Sequence, residues 1–597
     1  MGIKSLTMIK NSLLLLSEVL NINAARIVLE LIRTLLGVAS SLIARVFIVR
    51  IIIDSITQEL SFSRIAAIIS VTALVEALYF CFNGWMMEYY RPLSNNKLHR
   101  AFQSRLYSRL SKMDIECYDN SAFYDKYILA VKESDTRAIH ILQDMNNFLG
   151  LVIEIIITGG LIILGAPLLL AITIIPAIFF GWFGSIDAKI RLDYNNDVIT
   201  DERRRDYVKR VVYLEHYAKE IRSTFIASIL FSKFNKSITN ILNRLKKSAL
   251  KLTLINFIYM TLFYFQYIGI IAYLAWLAVN PSSITIGEFA MLLGAAGMLS
   301  SNWRSIGDYF GVLVEHGLFA QNYINFLKSK RKIIADNPSV ELPTSVDLLS
   351  IKNLSFGYDN ESNVLNNITL GIPEGKKIAI VGANGAGKST LINLLLRLYD
   401  PVDGSITLNG TNIRHFDPDE YRQLFGVVFQ DFQGYAATIA ENVLLRSPIT
   451  EEDETQVANA LKTTNLYNKV KTLPSGIHTQ LTKEFDEHGA IFSRGELQKL
   501  AIARSIAHNP AVLIMDEPSS ALDPIAEQEM NAAVAAAMEY RTVIIISHRL
   551  STVKDADKIY VIADGSIAEC GNHIALLNKE GIYARMFNLQ ASQYQEV

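Results

Sequence analysis

A glycine-rich segment, GANGAGKS at residues 382–389, matches the phosphate-binding pattern GxxxxGK[ST] in full. Its glycines let the backbone curl so that N–H groups point at phosphate oxygens, at the positive end of a helix. Lys388 would reach the β- and γ-phosphates, and Ser389 would bind Mg²⁺. The positions expected to surround the phosphates are Gly382, Asn384, Gly385, Ala386, Gly387 and Thr390.

An apolar run that ends in two carboxylates, AVLIMDE at residues 511–517, supports this prediction. Asp516, at the carboxyl end of a buried strand, would hold Mg²⁺ through water. Glu517 would polarise the attacking water as a general base. An acidic pair that merely begins a loop is the alternative interpretation. With the glycine-rich segment upstream, the pair indicates hydrolysis of ATP with Mg²⁺ as cofactor.

These residues require an α/β domain to position them. Strand-like runs such as Lys377–Val381 and Val512–Met515 alternate with helical runs. The stretch 333–346 has two prolines and no periodicity, which is typical of a linker. We therefore predict a nucleotide-binding domain at 347–597.

The chain before the linker has a different composition, because apolar runs long enough to cross a bilayer occur only there. Residues 1–332 are predicted to be a helical transmembrane domain, with the third and fourth spans forming a hairpin. The six predicted spans are about 27–53, 66–87, 147–165, 167–186, 252–278 and 289–314.

The charges divide between the two parts. Residues 1–346 carry 36 Lys and Arg against 27 Asp and Glu, whereas residues 347–597 carry 21 against 31. The basic residues lie in the long segments between spans, which predicts that both termini and the nucleotide-binding domain face the cytoplasm. The whole chain, 50% hydrophobic and 19% charged, excludes a disordered protein. Its three cysteines exclude a disulfide scaffold.

Five further elements occur in the order and spacing of a known family: Tyr358, Gln430, FSRGELQKLAIAR (492–504), MDEPSSALD (515–523) and His548. With six spans ahead of them, the chain resembles a bacterial ABC exporter half-transporter. The stretch CYDNSAFYDKYILAV (117–131) is similar to peptide and antibiotic exporters of that family. The resemblance implies a multi-pass protein of the bacterial inner membrane.

The resemblance also implies residue roles. Tyr358 would stack on adenine, Gln430 would contact Mg²⁺ and the water, and His548 would contact the γ-phosphate. Asp523 would cross the interface between two copies. Glu517, His548, Gln430 and Lys388 are thus the predicted catalytic set, and the predicted metal set is Ser389, Gln430 and, through water, Asp516.

The signature of the family, LSGGQ, is altered here to Phe492-Ser493-Arg494-Gly495-Glu496. Ser493, Gly495 and Glu496 are still expected to contact the ATP of a partner subunit, at a helix N-terminus. Arg494 either adds a cation near that phosphate or points to solvent, and we favour solvent. Because a signature completes a site only across an interface, the chain is predicted to form a homodimer, with a heterodimer as the alternative.

Ionisable residues inside spans usually face a cavity or a partner. Glu76, Arg304 and Asp308 are the candidates for a substrate cavity, and Glu30 is expected to pair with Arg33. The helices that couple the two domains are expected near 120–125 and 217–224.

These features predict an ATP-hydrolysing exporter of a bulky or amphipathic substrate, with peptide favoured and no nucleic-acid partner. The alternatives are a lipid or glycolipid flippase, a multidrug exporter, and a membrane-anchored regulatory ATPase.

Overall fold

A computed structural model describes residues 3–119, 137–279, 284–337, 339–358, 362–517, 532, 535–536 and 541–595. The chain divides into two compact units. The helical unit comprises Met1–Ser111 with Ala122–Ser329, and the α/β unit comprises Lys112–Ser121 with Lys330–Val597.

The helical unit consists almost entirely of long helices. π-Helical turns at Ile43–Phe47 and Met86–Tyr90 connect α2 to α3 and α4 to α5 without a break. The helices, in chain order and including α6 of the α/β unit, are α1 (Ile3–Ile22), α2 (Ala24–Leu42), α3 (Ile48–Thr57), α4 (Phe62–Trp85), α5 (Arg91–Leu110), α6 (Glu116–Asp119), α7 (Arg137–Gly165), α8 (Leu168–Tyr213), α9 (Glu215–Ser223), α10 (Ile226–Val279) and α11 (Ile286–Lys328).

Among the described residues, five helical segments are long and apolar enough to cross a membrane: Ala24–Thr57, Phe62–Leu110, Ile139–Gly165, Leu168–Asn195 and Ile226–Val279. Each overlaps one of the first five predicted spans and extends beyond it at one or both ends.

The sixth predicted span, 289–314, lies in α11, which has 43 residues but is absent from those five segments. The polar run Ser300-Ser301-Asn302-Trp303-Arg304 lowers the mean hydropathy in the middle of this helix. The helical membrane fold is confirmed, and the number of six spans stays a prediction.

Close helix packing forms the core of the helical unit. The hairpin predicted between the third and fourth spans is present, since α7 ends at Gly165 and α8 begins after Pro167. Gly294 of α11 lies against the π-helical turn, where an added Cβ would be 2.2 Å from the backbone oxygen of Arg45. Only glycine permits this approach. The core residues around it include Val38, Val46, Ile162, Leu169, Ile270, Leu292 and Ala296.

The α/β unit contains two sheets, whose strands are β1 (Leu348–Phe356), β2 (Leu365–Pro373), β3 (Lys377–Gly382), β4 (Asp403–Leu408), β5 (Thr411–Asn412), β6 (Phe425–Val428), β7 (Val512–Asp516), β8 (Thr542–Ile546), β9 (Lys558–Ala563) and β10 (Ser566–Gly571). Its helices are α12 (Lys388–Leu395), α13 (Pro418–Arg422), α14 (Ile439–Leu444), α15 (Glu451–Thr463), α16 (Tyr467–Lys471), α17 (Arg494–Ala507), α18 (His573–Asn578) and α19 (Ile582–Gln595).

The larger sheet has the order β10-β9-β3-β8-β7-β6 and is parallel from β9 to β6. All five residues of β7 and all five of β8 are buried, as expected for strands covered on both faces. The smaller sheet, β2-β1-β4-β5, is antiparallel. Because β3, β8, β7 and β6 are parallel neighbours, the segments that follow them meet at one edge of the sheet.

A short piece of the N-terminal half belongs to the α/β unit. The Asp114 carboxylate accepts the backbone N–H of Lys332 at 2.6 Å, and Glu116 pairs with the Lys332 ammonium at 2.5 Å. The Tyr399 hydroxyl donates to Asp119 at 2.7 Å. Residues 112–119 are thus attached both to the beginning of the linker region and to the α/β fold.

Candidate nucleotide site

The glycine-rich segment forms a tight loop between β3 and α12. Gly385 and Gly387 have φ of +80° and +96°, in the region that favours glycine. An added Cβ at Gly382 would be 2.3 Å from the backbone oxygen of Ile562. The loop therefore depends on these glycines, and α12 begins directly after it at Lys388.

Lys388 is 6% exposed and lies against its own loop. Its ammonium donates to the backbone oxygens of Gly382 at 3.0 Å and Ala383 at 2.9 Å. Burial lowers the pKa of Lys388, and the carboxylates of Glu517 and Asp516 oppose that shift. A cation thus lies where the sequence predicts contact with phosphates.

The predicted metal ligands lie together. The Ser389 hydroxyl donates to Oδ2 of Asp516 at 3.3 Å, while Oδ1 of Asp516 is buried without a hydrogen-bond partner. Burial, with a smaller contribution from Glu517, raises the pKa of Asp516 to about 6. Hard oxygen donors with one unused buried oxygen fit Mg²⁺.

No group of three or more His, Cys, Asp and Glu among the described residues could hold a metal by itself. Mg²⁺ commonly uses one or two protein oxygens together with substrate phosphates. The oxygens of Ser389 and Asp516 therefore fit Mg²⁺ that arrives with a nucleotide.

Glu517 is the centre of the predicted catalytic set. Its Oε2 accepts from Nε2 of Gln430 at 2.9 Å, and its Oε1 lies 2.7 Å from Nε2 of His548. Burial and the charge of Lys388 lower the pKa of His548. A neutral imidazole protonated at Nε2 then donates to Glu517, so the carboxylate is oriented from both sides.

The backbone of Glu517 is strained, because its φ is +51° although it is not glycine. Its N–H donates to the backbone oxygen of Ile546 at 2.9 Å, which ties the end of β7 to β8. Strain of this kind is concentrated at functional sites. The turn directs the side chain from the sheet edge toward Gln430 and His548.

Tyr358 lies at the side of the same loop and is 47% exposed. Its hydroxyl is 3.2 Å from the hydroxyl of Thr390, which is in α12. Its ring lies edge-on to Tyr399, with 5.3 Å between ring centroids and 90° between planes. This exposed aromatic ring beside the phosphate loop is compatible with the predicted stacking on adenine.

The altered signature forms the start of α17. Ser493 is the N-cap: its hydroxyl accepts the Glu496 N–H at 3.3 Å, and the Glu496 carboxylate accepts the Ser493 N–H at 2.8 Å. Glu496 also pairs with Lys469 at 2.5 Å. Sequence reasoning missed this capping box, although the pattern S-x-x-E was visible. Glu496 is therefore a structural residue of its own helix.

The other signature side chains differ in exposure. Phe492 is 6% exposed and packs in the core. Arg494 is exposed in the single chain, and its orientation toward solvent rather than a partner's phosphate stays a prediction. The described contacts join the signature residues to Lys469 and not to the glycine-rich loop. Asp523 lies outside the described residues.

Comparisons with known proteins agree with this geometry. The family profile described as "ABC transporter" matches residues 365–520. This segment contains the glycine-rich loop, Gln430, the signature and Glu517. Residues 365–520 therefore form an ATP-binding domain of the ABC transporter type.

The relatives extend the likeness beyond the cassette. The chain is 29% identical over 515 residues to a protein of Staphylococcus aureus named "Putative multidrug export ATP-binding/permease protein", covering 85% of this chain and 86% of that one. It is 35% identical over 326 residues to the uncharacterized ABC transporter ATP-binding protein YwjA of Bacillus subtilis, covering 53% and 54%. It is 38% identical over 260 residues to ABC transporter B family member 1 of Arabidopsis thaliana, covering 43% and 20%.

The chain spans about half or less of the length of several such relatives. A solved structure described as a bacterial Atm1-family ABC exporter with ATP bound has a TM-score of 0.77. It covers 96% of this chain and 99% of its own at 24% identity, which shows the fold. The predicted architecture, a helical membrane domain fused to an ATP-binding cassette, is confirmed.

The ionisable residues of the membrane domain have partners on their own or on other helices. Glu76 of α4 accepts from the Ser40 hydroxyl of α2 at 2.5 Å. Glu30 pairs with Arg33 of the same helix at 2.8 Å, as expected. Arg304 is exposed, with its guanidinium 4.8 Å from the ring centroid of Tyr259. The side chain of Asp308 lies outside the described residues, and the place of all three candidates in a substrate cavity stays a prediction.

Two polar contacts between helices meet at Glu154, which is not one of the three predicted cavity residues. Glu154 accepts from the Ser41 hydroxyl at 2.6 Å and from the Asn302 amide at 2.9 Å. It therefore connects α7 to α2 and α11. No pattern in the sequence predicts these contacts, because Glu154 is 113 residues from Ser41 and 148 residues from Asn302.

Proposed function

We propose that this chain is half of an ATP-driven exporter that moves a bulky or amphipathic substrate, most readily a peptide, out of the bacterial cytoplasm by alternating access. The observation that carries the proposal is the convergence of Gln430, Glu517 and His548 beside the phosphate loop, in a chain whose membrane helices are fused to the cassette.

The chemistry follows from the residues in place. Backbone N–H groups of the glycine-rich loop and Lys388 would bind the phosphates of ATP. Ser389 and Asp516 would hold Mg²⁺, which would supply positive charge next to the phosphates. Each oxygen of Glu517 has one described partner, and a carboxylate offers about four acceptor sites. Glu517 therefore retains capacity to accept a proton from the attacking water.

The second half of each site is proposed to come from another copy of the chain. Ser493 and Gly495 open α17, a helix of 14 residues whose N-terminus favours an anion. In the described contacts, these signature residues do not touch the phosphate loop of their own cassette. A homodimer with two competent sites fits one chain with one cassette.

Coupling to transport is proposed to pass through residues 112–119. Asp119 accepts from Tyr399, whose ring contacts Tyr358 beside the nucleotide loop. This contact lies just before the predicted coupling segment 120–125, which is outside the described residues. The second predicted segment, 217–224, coincides with most of α9 and the residue after it.

The test is reconstitution of the purified full-length chain in liposomes. We expect ATP-dependent movement of an amphipathic peptide, and loss of turnover on the order of 10²- to 10⁴-fold in Glu517→Gln with ATP binding retained. Glu452→Gln, an exposed carboxylate of α15, is the matched control. Hydrolysis retained in Glu517→Gln would refute the general-base assignment.

A multidrug exporter is the second candidate, favoured by the name of the Staphylococcus aureus relative. The same liposomes distinguish the candidates when peptides, lipids and lipophilic dyes are tested in parallel. Movement of dyes without peptides would favour multidrug export, and movement of lipids alone a flippase. Active hydrolysis with no movement of any cargo would favour the regulatory ATPase.

A further inference from the structure

Four charged residues meet at the beginning of the first membrane span. Arg26, Glu30 and Arg33 lie on successive turns of α2, and Arg91 is the first residue of α5. The side chains of Arg26 and Glu30 are fully buried, whereas those of Arg33 and Arg91 are 12% and 11% exposed. We call these four residues the arginine cluster.

Glu30 is the only carboxylate of the cluster, and it faces all three guanidinium groups. It accepts hydrogen bonds from Nε of Arg33 at 2.8 Å and from Nε and Nη2 of Arg91 at 2.7 and 2.8 Å. Its contact with Arg26 is an ion pair, with 3.1 Å between Nη2 and Oε1. Arg33 and Arg91 thus occupy three of the roughly four acceptor sites of the carboxylate.

Arg26 retains buried donors that Glu30 does not satisfy. Its Nε and Nη1 are buried and have no hydrogen-bond partner. Its Nη2 reaches, besides Glu30, only the neutral side-chain oxygen of Asn95, at 3.5 Å. Buried guanidinium N–H groups are normally paired, because desolvation without an acceptor is costly.

The charge of the cluster is also unbalanced, with three guanidinium groups against one carboxylate. Among the described residues, no second carboxylate lies within ion-pair distance of Arg26, Arg33 or Arg91. The nearby helices do not supply one: Glu18 of α1 pairs with Arg105 at 3.1 Å. The arginine cluster therefore holds excess positive charge in a buried position.

We propose that the arginine cluster binds an oxyanion, either a phosphate or a carboxylate group. The planar guanidinium group matches both geometries through paired N–H donors. The cluster is at the end of the first span that is predicted to face the cytoplasm, where lipid phosphates and soluble anions are both within reach. The site is separate from the ATP site and does not depend on the identity of the cargo.

The test uses the full-length protein in nanodiscs of phosphatidylcholine, with or without phosphatidylglycerol. Native mass spectrometry counts the anionic lipids that remain bound, and thermal unfolding with added inorganic phosphate measures binding of a soluble anion. Arg26→Gln should weaken binding about tenfold, the effect of losing one charge-assisted partner. Arg45→Gln, which removes an exposed arginine further along the same span, is the matched control.

Glu30→Gln provides a test with the opposite sign, because it removes the competing negative charge and should strengthen binding. A purely structural cluster would lose stability in both variants without any change in bound anion. If Arg26→Gln does not fold, Arg33→Gln, at a partly exposed position, is expected to weaken binding in the same direction.

The two arms identify the source of the anion. Retention of phosphatidylglycerol alone supports a lipid phosphate, and stabilisation by inorganic phosphate in neutral nanodiscs supports a soluble ligand. Binding of neither probe, or equal losses in Arg26→Gln and Arg45→Gln, would overturn the proposal.

Discussion

Removing one hydroxyl should loosen the attachment of residues 112–119 to the cassette. Tyr399→Phe deletes the donor to Asp119, 2.7 Å away, and keeps the ring that contacts Tyr358. The attachments through Asp114 and Glu116 remain. The substitution therefore tests a single contact between the nucleotide side of the cassette and the N-terminal half of the chain.

The size of the effect follows from the exposure of the two partners. A hydrogen bond to a charged acceptor contributes about 1.5 to 3 kcal/mol, but Asp119 is exposed, so we take about 1 kcal/mol. At room temperature this corresponds to about a fivefold larger detached fraction of the segment.

A native cysteine reports this change. Cys117 lies on α6 and is half-buried. Burial, together with Asp114 and Glu116, raises the pKa of its thiol. Detachment exposes the thiol and increases its thiolate fraction, and both effects speed alkylation. In a Cys81→Ser, Cys570→Ser background, Tyr399→Phe should therefore react with a maleimide about five times faster.

The matched control is Tyr583→Phe, which also deletes a hydroxyl from a buried tyrosine of the cassette. The Tyr583 hydroxyl lies 2.8 Å from Nδ1 of His573. Its alkylation rate should equal that of the parent. An unchanged rate in Tyr399→Phe, or an equal increase in Tyr583→Phe, would refute the reasoning.

Three further predictions concern the cassette. Glu496→Gln should preserve the capping box and change the free energy of unfolding, measured by urea titration, by less than about 0.5 kcal/mol. Glu496→Ala should lower that free energy by about 1 kcal/mol. Equal losses of stability in the two variants would instead point to the ion pair with Lys469. Arg494→Gly should leave kcat and KM for ATP within about twofold, because the side chain is exposed; a tenfold higher KM would indicate contact with the partner's phosphate. The affinity for Mg²⁺-ADP, measured by calorimetry, should be constant above pH 7 and fall up to about tenfold per pH unit below pH 6. Protons compete with the metal for Asp516, because the pKa of this carboxyl is raised to about 6. In Asp516→Asn the affinity should depend less on pH.

The nucleotide site was predictable because its residues are set by local motifs and by one topological rule. The glycine-rich loop is a continuous run of eight residues, and Asp516 and Glu517 end an unbroken apolar strand. Gln430 and His548 are distant in sequence, but each follows a parallel strand of the same sheet. Family resemblance supplied their roles, and the carboxyl edge of the sheet explains why they meet.

Contacts between distant segments were not predictable from one sequence. Asp119 and Tyr399 are 280 residues apart, and Glu30 and Arg91 are 61 apart. No periodicity or motif relates such positions, since their contact depends on how helices and loops pack. The pairing of Glu30 with Arg33 was predicted because it is a local helical contact.

The signature shows a local feature that was overlooked. The spacing of Glu496 from Ser493 already indicated a helix cap. The expected contact of Glu496 with the ATP of a partner subunit stays a prediction. Where a residue fits both a functional motif and a local structural rule, the local rule has to be considered first.

Because the backbone of Glu517 is left-handed, this glutamate lowers the stability of the fold compared with glycine at the same position. A residue with a Cβ in that conformation costs roughly 1–2 kcal/mol compared with an unstrained one. Replacement by glycine would therefore abolish the proposed base while relieving the fold. A lineage released from selection for turnover would be expected to lose this glutamate early and to retain a more stable cassette.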